Sequence, residues 1–433
     1  MPDFENRILY VDVTHTWSSN LQTGIQRVVR QTVDSWYSMN TNIALIIFHD
    51  GEYKVLPHSA LANFALLYSE RIPRNYYLQN YIFERLLPVY LKLKKLMPHR
   101  AVQSLLKEPV VRVLQKSVTK TWIPKETASL NPNNADILLL ELVFQPIQIT
   151  YLKKISREYG ANLSYFSYDC NPLITPHYWP PDVSEHFSNY ITLVNSSRRV
   201  WSISKTAQED IKRFSKTDES KISFEYKWLP PFKFPDCDPR KIHLQGLDKE
   251  NYILMVASYV PSKNHLGFLE ALKILKAKGI SIPKIYLVGG GSWIGQEIDA
   301  KVRELNQIGI QIKKYEAIRN CCLGKLYKNC SFSILPSFVE GFGLPIVESL
   351  SFGKPVVTST SMSMGELLAL PGTIGFSHSQ VPSLATILEQ LLSDNDLLET
   401  LTSEAVENLD NLGTWQDYAA ELYEFVSRGS VDK

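Results

Sequence analysis

The sequence has no apolar run long enough to cross a bilayer. Stretches such as Ile43–Phe48 and Ile137–Leu140 hold a few residues each, where a spanning helix needs about 20, so no transmembrane helix is expected. Cysteine is scarce. The five (Cys170, Cys237, Cys321, Cys322, Cys330) are odd in number and form no C-x-x-C, which argues against a disulfide framework and against a dithiol redox motif. No His/Cys cluster has zinc spacing. The glycines after Leu287 and Val288 lack the G-x-G-x-x-G register, Ile294 standing where the third glycine belongs, which disfavours a dehydrogenase. The opening MPDFENRILYVDV carries acids near Met1 and no apolar segment. It does not read as a secretory signal, and with reduced thiols the expectation is a cytoplasmic protein.

What is present is ordinary for a globular chain of two or three domains: 433 residues, 44% hydrophobic and 21% charged. The net charge of +2 conceals an asymmetry. Residues 71–120 hold eleven Lys or Arg against two acids, a local surplus of nine positive charges, so the remainder carries seven negative ones. A basic block of this kind points to one anionic surface partner or to a solvated helical face. Its interleaved Tyr, Phe, Leu and Lys suit the interface of an anionic membrane. No recognisable RNA- or DNA-binding module accompanies it, so nucleic acid is not expected.

Short β-branched or apolar runs alternate with helical stretches along most of the chain, as in a parallel sheet covered by helices on both faces. Strands are expected at 8–13, 43–48, 135–144, 162–168 and 199–204, with helices from Gly24 to about Tyr37 and near 147–158, 184–196 and 205–214. The rhythm stops at 227–239, where four prolines in thirteen residues disfavour helix and strand alike and mark a linker. It restarts with strands at 251–258, 284–289, 310–315, 332–336 and 355–359, a helix over 264–278 and two C-terminal helices. The expected fold class is α/β: two doubly wound Rossmann-like domains facing across a cleft, at 1–232 and 240–411. The closing segment 412–433 would return to the first domain. A basic helical insertion occupies about 60–130 of the first domain. Ligands of open α/β sheets bind at the carboxyl ends of strands, which directs attention to the loops there.

One such loop is PSFVEGFGLPIVESLSFGKPVV, 336–357. A strand ends at Pro336, a glycine-bearing loop carries Glu340, Gly341 and Gly343, and a helix opens near Pro345 with Glu348 in its first turn. Glycines admit close approach of the backbone, and free amides at a helix start favour anions. Flanking carboxylates accept hydrogen bonds from hydroxyl pairs. The pattern suits a phosphorylated ligand that also carries hydroxyls. A plain strand–turn–helix with two surface acids has the same spacing.

The stretch Glu340-Gly-Phe-Gly-Leu-Pro-x-x-Glu348 resembles the E-x7-E signature of retaining nucleotide-sugar glycosyltransferases of family 4, which have the glycosyltransferase-B fold. WSISKTAQEDIKRF (201–214), VASYVPSKNHLGFLEAL (256–272), LVGGGSW (287–293), YDCNPLITPHYWP (168–180) and TWQDYAAEL (414–422) resemble further segments of that family, in its order. TGIQRVVR (23–30) resembles a loop–helix of bacterial surface-polysaccharide mannosyltransferases. The likeness spans most of the chain, with about 55–130 as its main unmatched part.

The resemblance implies that Glu340 contacts the donor sugar or stabilises positive charge developing on it, and that Glu348 holds the ribose hydroxyls. It implies that the amides of Phe342, Gly343 and Leu344 face sugar and phosphates, that Lys263 neutralises the diphosphate, and that Gly24 lets the backbone approach the donor. Asp169 would orient the acceptor hydroxyl. The partners implied are a nucleotide-sugar donor, tilted toward GDP-mannose, and a glycan or lipid-linked glycan acceptor, with contact at the inner face of the membrane through 71–120. No metal or other cofactor is implied, and Asp236-Cys237-Asp238, a literal D-x-D in the linker, is read as coincidence. Two departures stand out. Ser258 and Ser262 replace cations common in the family's diphosphate loop, with Arg27 the candidate substitute, and Tyr168 replaces a histidine. They leave room for an alternative, a catalytically inactive scaffold of the same fold in a polysaccharide-assembly complex. A sugar-nucleotide hydrolase or phosphorylase is a third.

Overall fold

The computed structural model describes residues 7–19, 23–60, 126–235, 251–290, 293–316, 318–377 and 380–428. Most of the basic insertion, its whole 71–120 block included, and the Asp236-Cys237-Asp238 stretch fall outside the described residues. By compactness the chain divides into Met1–Leu142 and Val143–Lys433.

In the first unit, β1 (Leu9–Asp12) lies between β2 (Ile43–His49) and β5 (Asp136–Leu139), parallel to both. β3 (Glu52–Val55) and β4 (Ala128–Ser129) extend this sheet antiparallel beyond β2. The β2–β3 hairpin turns on Asp50-Gly51, both with positive φ (50° and 85°), the Asp-Gly pair that a two-residue hairpin favours. The strand expected over 135–144 stops at Leu139, because the chain turns at Glu141, whose carboxylate is committed elsewhere. It accepts from the amides of His15 and Thr16 and from the Thr16 hydroxyl on α1 (Thr14–Ser18). Helix α2 (Gly24–Ser38) follows and buries Val28, Val29, Val33 and Trp36, spaced to share one helical face.

In the second unit, α3 (Pro146–Tyr159) precedes three parallel strands, β6 (Asn162–Ser167), β7 (Ser197–Ser202) and β8 (Ser223–Tyr226). Between β6 and β7 come α4 (Asn171–Ile174) and α5 (Pro181–Ile191), and α6 (Lys205–Ser215) leads from β7 toward β8. The Pro-rich 227–235 is neither helix nor strand, as its prolines require.

A six-stranded parallel sheet follows: β9 (Tyr252–Val256), β10 (Lys284–Gly289), β11 (Ile312–Glu316), β12 (Phe332–Leu335), β13 (Val356–Ser359) and β14 (Thr373–Phe376). Its order is β11-β10-β9-β12-β13-β14. Side chains alternate across it. Ile253, Met255, Ile285 and Leu287 enter one core with α7 (His265–Ala277), α8 (Gly295–Gln307) and α12 (Val381–Ser393). Tyr252, Leu254, Tyr286 and Val288 enter another with α9 (Asn320–Asn329). Helices thus cover both faces. The strand run β9-β12 is apolar because both its faces are buried. Helix α10 (Leu344–Leu350) follows β12, and α11 (Met362–Leu367) follows β13.

Among the described residues three helices follow β14, rather than the two expected: α12, α13 (Asn395–Glu407) and α14 (Trp415–Ser427). The last packs on β7, where the Trp201 indole donates to the Tyr418 hydroxyl at 2.7 Å. Trp415 stacks on Phe232 and donates to the Pro231 carbonyl.

Candidate active site

The order of the six-stranded sheet reverses between β9 and β12, and ligands of open α/β sheets bind outside the strand ends at such a switch point. The loop after β9 carries Ser258 and Lys263; the loop after β12 carries Glu340. The sheet therefore delivers the expected acid and the expected cation to adjacent strand ends.

Local chemistry fixes both loops. Gly289, ending β10, lies so near the first loop that a Cβ there would fall 1.9 Å from the Ala257 carbonyl oxygen. Asn264 adopts φ of 55°, a left-handed conformation that asparagine tolerates, and donates from Nδ2 to the Pro336 carbonyl at 3.1 Å. The Phe338 amide donates to the Ser262 carbonyl at 2.8 Å. Held in this way, Lys263 Nζ lies 2.7 Å from Glu340 Oε1, and the Ser337 hydroxyl donates to the same oxygen at 2.7 Å. Both ion-pair partners are largely shielded, at 22% and 14% side-chain exposure. His265, next along, is held neutral, its pKa lowered to about 3 by burial and then by the Lys263 charge.

A third group comes from β6. Asp169, just past its end, approaches Gly341 so closely that a Cβ on that glycine would lie 2.6 Å from the Tyr168 carbonyl oxygen and 2.9 Å from Asp169 Oδ2. Gly341 is required for this approach. Burial pushes the Asp169 carboxyl up to about 6; the Asn171 amide bonded to it and the Lys263 charge pull the other way, and Glu340 adds to the rise. Two carboxylates and one lysine thus share one electrostatic neighbourhood. Tyr168 is buried against Phe166.

Gly343, with φ of 111°, caps α10, which begins at Leu344, so Pro345 takes its second position. Phe342 is buried and Leu344 half-buried. Glu348 is 1% exposed and accepts from the Tyr327 hydroxyl at 2.9 Å. Ser258 is exposed. Gly24 and Arg27 lie on α2 of the first unit, where Arg27 is buried. Among the described residues no three His, Cys, Asp or Glu side chains are grouped to hold a metal ion, and no helix is long and apolar enough to cross a membrane.

Sequence reasoning missed several supporting groups: Ser337, Asn264, Tyr327, and the hydroxyls of Ser204 and Ser363. Ser363 donates to the Glu340 carbonyl and Ser204 to the Gly341 carbonyl, each at 2.8 Å. Apart from Ser337, three residues from Glu340, each pairs with a residue distant in sequence, so no local pattern announces it.

Residues 240–407, under half of the chain, match the family described as glycosyl transferases group 1. The chain is 24% identical over 246 residues to the O-antigen chain mannosyltransferase B of Escherichia coli, covering 55% of this chain and 63% of that protein. It spans less than two thirds of the length of the curated relatives it matches first. Among solved structures it resembles sucrose-phosphate synthase from Thermosynechococcus elongatus, with a TM-score of 0.63, 14% identity and 97% and 98% of the two chains covered. It also resembles Anabaena HepE in complex with UDP and glucose, with a TM-score of 0.62, 16% identity and 98% and 100% covered. The fold is the glycosyltransferase-B fold, built from two Rossmann-like parallel-sheet domains.

Proposed function

We propose that this chain is a retaining glycosyltransferase that moves a hexose from a nucleotide-diphospho-sugar to a hydroxyl of a polysaccharide or lipid-linked glycan. The observation that carries the reading is the Lys263–Glu340 pair, set at the switch point of the sheet with Asp169 against the same loop. The match of 240–407 to glycosyl transferases group 1 supports it. The likeness to an O-antigen mannosyltransferase favours mannose, and with it GDP-mannose, as the donor.

In this reading the bond between the anomeric carbon and the diphosphate oxygen breaks, and the acceptor hydroxyl bonds to the same face of the sugar. The leaving phosphate oxygen takes the hydroxyl proton. Lys263 stabilises the charge gathering on the diphosphate, so a fixed cation serves and no metal is called for. Glu340 stabilises positive charge on the sugar, Glu348 holds the ribose, and the 342–344 amides face the phosphates. Asp169 orients the acceptor hydroxyl for attack. The acid and cation that a scaffold could dispense with are both held in place, which favours the enzyme over the inactive alternative. The basic 71–120 segment would hold the enzyme at an anionic membrane carrying the acceptor.

Thermal unfolding with UDP, GDP, dTDP and ADP, with and without magnesium or EDTA, tests the donor site. A ligand at 100 times its Kd adds about 2.7 kcal/mol to the folded state. We expect one nucleotide, GDP first, to stabilise the protein equally with EDTA, and Glu348→Ala to remove the effect. Stabilisation by none, or only with magnesium, would overturn the donor assignment.

A further inference from the structure

Helix α11 is fastened to the start of α6 by one side chain, which meets Lys205 from 161 residues along the chain. The Glu366 carboxylate accepts from the amides of Lys205 and Thr206, the first two residues of α6, and from the Thr206 hydroxyl. It also accepts from the Trp228 indole at 3.1 Å. Four donors converge on one half-buried carboxylate, and a negative charge at a helix start is favourable in itself.

The ends of this link meet again at the active-site loop. One turn before Glu366 on α11, Ser363 donates to the Glu340 carbonyl at 2.8 Å. At the N-cap of α6, Ser204 accepts from the Ala207 amide at 3.0 Å and donates to the Gly341 carbonyl at 2.8 Å. Both serines are fully buried. The consecutive carbonyls of Glu340 and Gly341 are therefore gripped from two helices, and Glu366 ties those helices together. The result is a closed ring: α11 to Glu340, Glu340 to Gly341, Gly341 to α6, and α6 back to α11 through Glu366.

We propose that Glu366 is a positioning residue for glycosyl transfer, closing a brace that fixes the Glu340–Gly341 peptide and so aims the Glu340 carboxylate at Lys263 and keeps Gly341 against Asp169. Glu366 acts through that peptide, its own partners being Lys205, Thr206 and Trp228. The inference rests on the glycosyl-transfer reading for its catalytic consequence, but not for the rigidity it assigns to the peptide.

Two measurements on the full chain test it. In hydrogen exchange, Glu366→Gln, whose amide would set an N–H₂ against N–H donors, should speed exchange in a peptide spanning 338–343 by about 10-fold, since the loop loses its anchor. The β9 and β10 peptides should be unchanged. In kinetics with the active donor, the same variant should lower kcat about 10- to 100-fold while the nucleotide Kd stays within about 3-fold, because misplacement costs the transition state and not ground-state binding. Glu366→Asp should restore part of kcat. Ser204→Ala should cost less in the Glu366→Gln background than alone, the mark of coupled groups. Unchanged exchange at 338–343, or additive effects of the two substitutions on kcat, would overturn the brace. If the unsubstituted protein releases nucleotide from no hexose donor, the transfer reading fails, and the exchange measurement alone decides the brace.

Discussion

Asp169 shows how one residue's surroundings set its chemistry. In the role proposed for it, orienting an acceptor hydroxyl, its carboxylate must be ionised, and burial has moved its pKa from 3.8 to about 6. Transfer should therefore weaken as pH falls through about 6, and Asp169→Asn should abolish that acidic limb along with most of the activity. The sign for stability is opposite. A carboxyl whose folded pKa is raised contributes stability below its unfolded pKa and loses it as pH rises through the folded one. Asp169→Asn should thus gain on the unsubstituted protein between pH 3.8 and about 6, measured by urea midpoints across that range; a constant difference would contradict the shift. Gly341 is its counterpart. The Cβ of Gly341→Ala would meet the Tyr168 carbonyl at 2.6 Å, so backbone must move. We expect a stability loss of about 1–3 kcal/mol and a kcat loss larger than that accounts for. Wild-type kinetics in this variant would show that the close approach is dispensable.

At the scale of elements, most of the parallel strands and their covering helices were legible because those strands are apolar runs and the helices repeat their apolar residues at helical spacing. In α7 the buried set Phe268, Leu269, Ala271, Leu272 and Leu275 follows that spacing. Leu272→Ala should cost about 2–5 kcal/mol in urea unfolding while leaving nucleotide affinity of the folded protein intact; a loss under about 1 kcal/mol would mean that the helix packs otherwise. The loop–helix at 336–350 was legible too, since glycine, proline and two acids sit at fixed offsets. Less was visible where pattern is short or distant. The two-residue β4 is too brief to show a period, and β3, β8 and β14 carry polar residues or glycine among their four and so form no apolar run. The end of β5 was overrun because Glu141 reads as part of an apolar segment, whereas its carboxylate binds the start of α1. The ring through Ser204, Ser363 and Glu366 joins residues whose proximity only the fold creates.

For the molecule as a whole, the sheet order places its chemistry. β9 and β12 are neighbours at the reversal, so residues 77 positions apart, Lys263 and Glu340, form one ion pair. β6 supplies Asp169 to the same loop. The central claim is that this constellation cleaves a nucleotide-sugar and passes on the sugar. Its most direct test is nucleotide release from GDP-mannose and a panel of UDP-, GDP- and dTDP-hexoses, with a glycan acceptor, by the unsubstituted chain and by Glu340→Gln. Proton NMR of the product would read the anomeric configuration. We expect release from one donor class, a product that keeps the donor's configuration, and a loss of about 100- to 1,000-fold in Glu340→Gln, the range for removing one electrostatic stabiliser of a transition state. Equal turnover by the two proteins, an inverted product, or no release from any donor would contradict it.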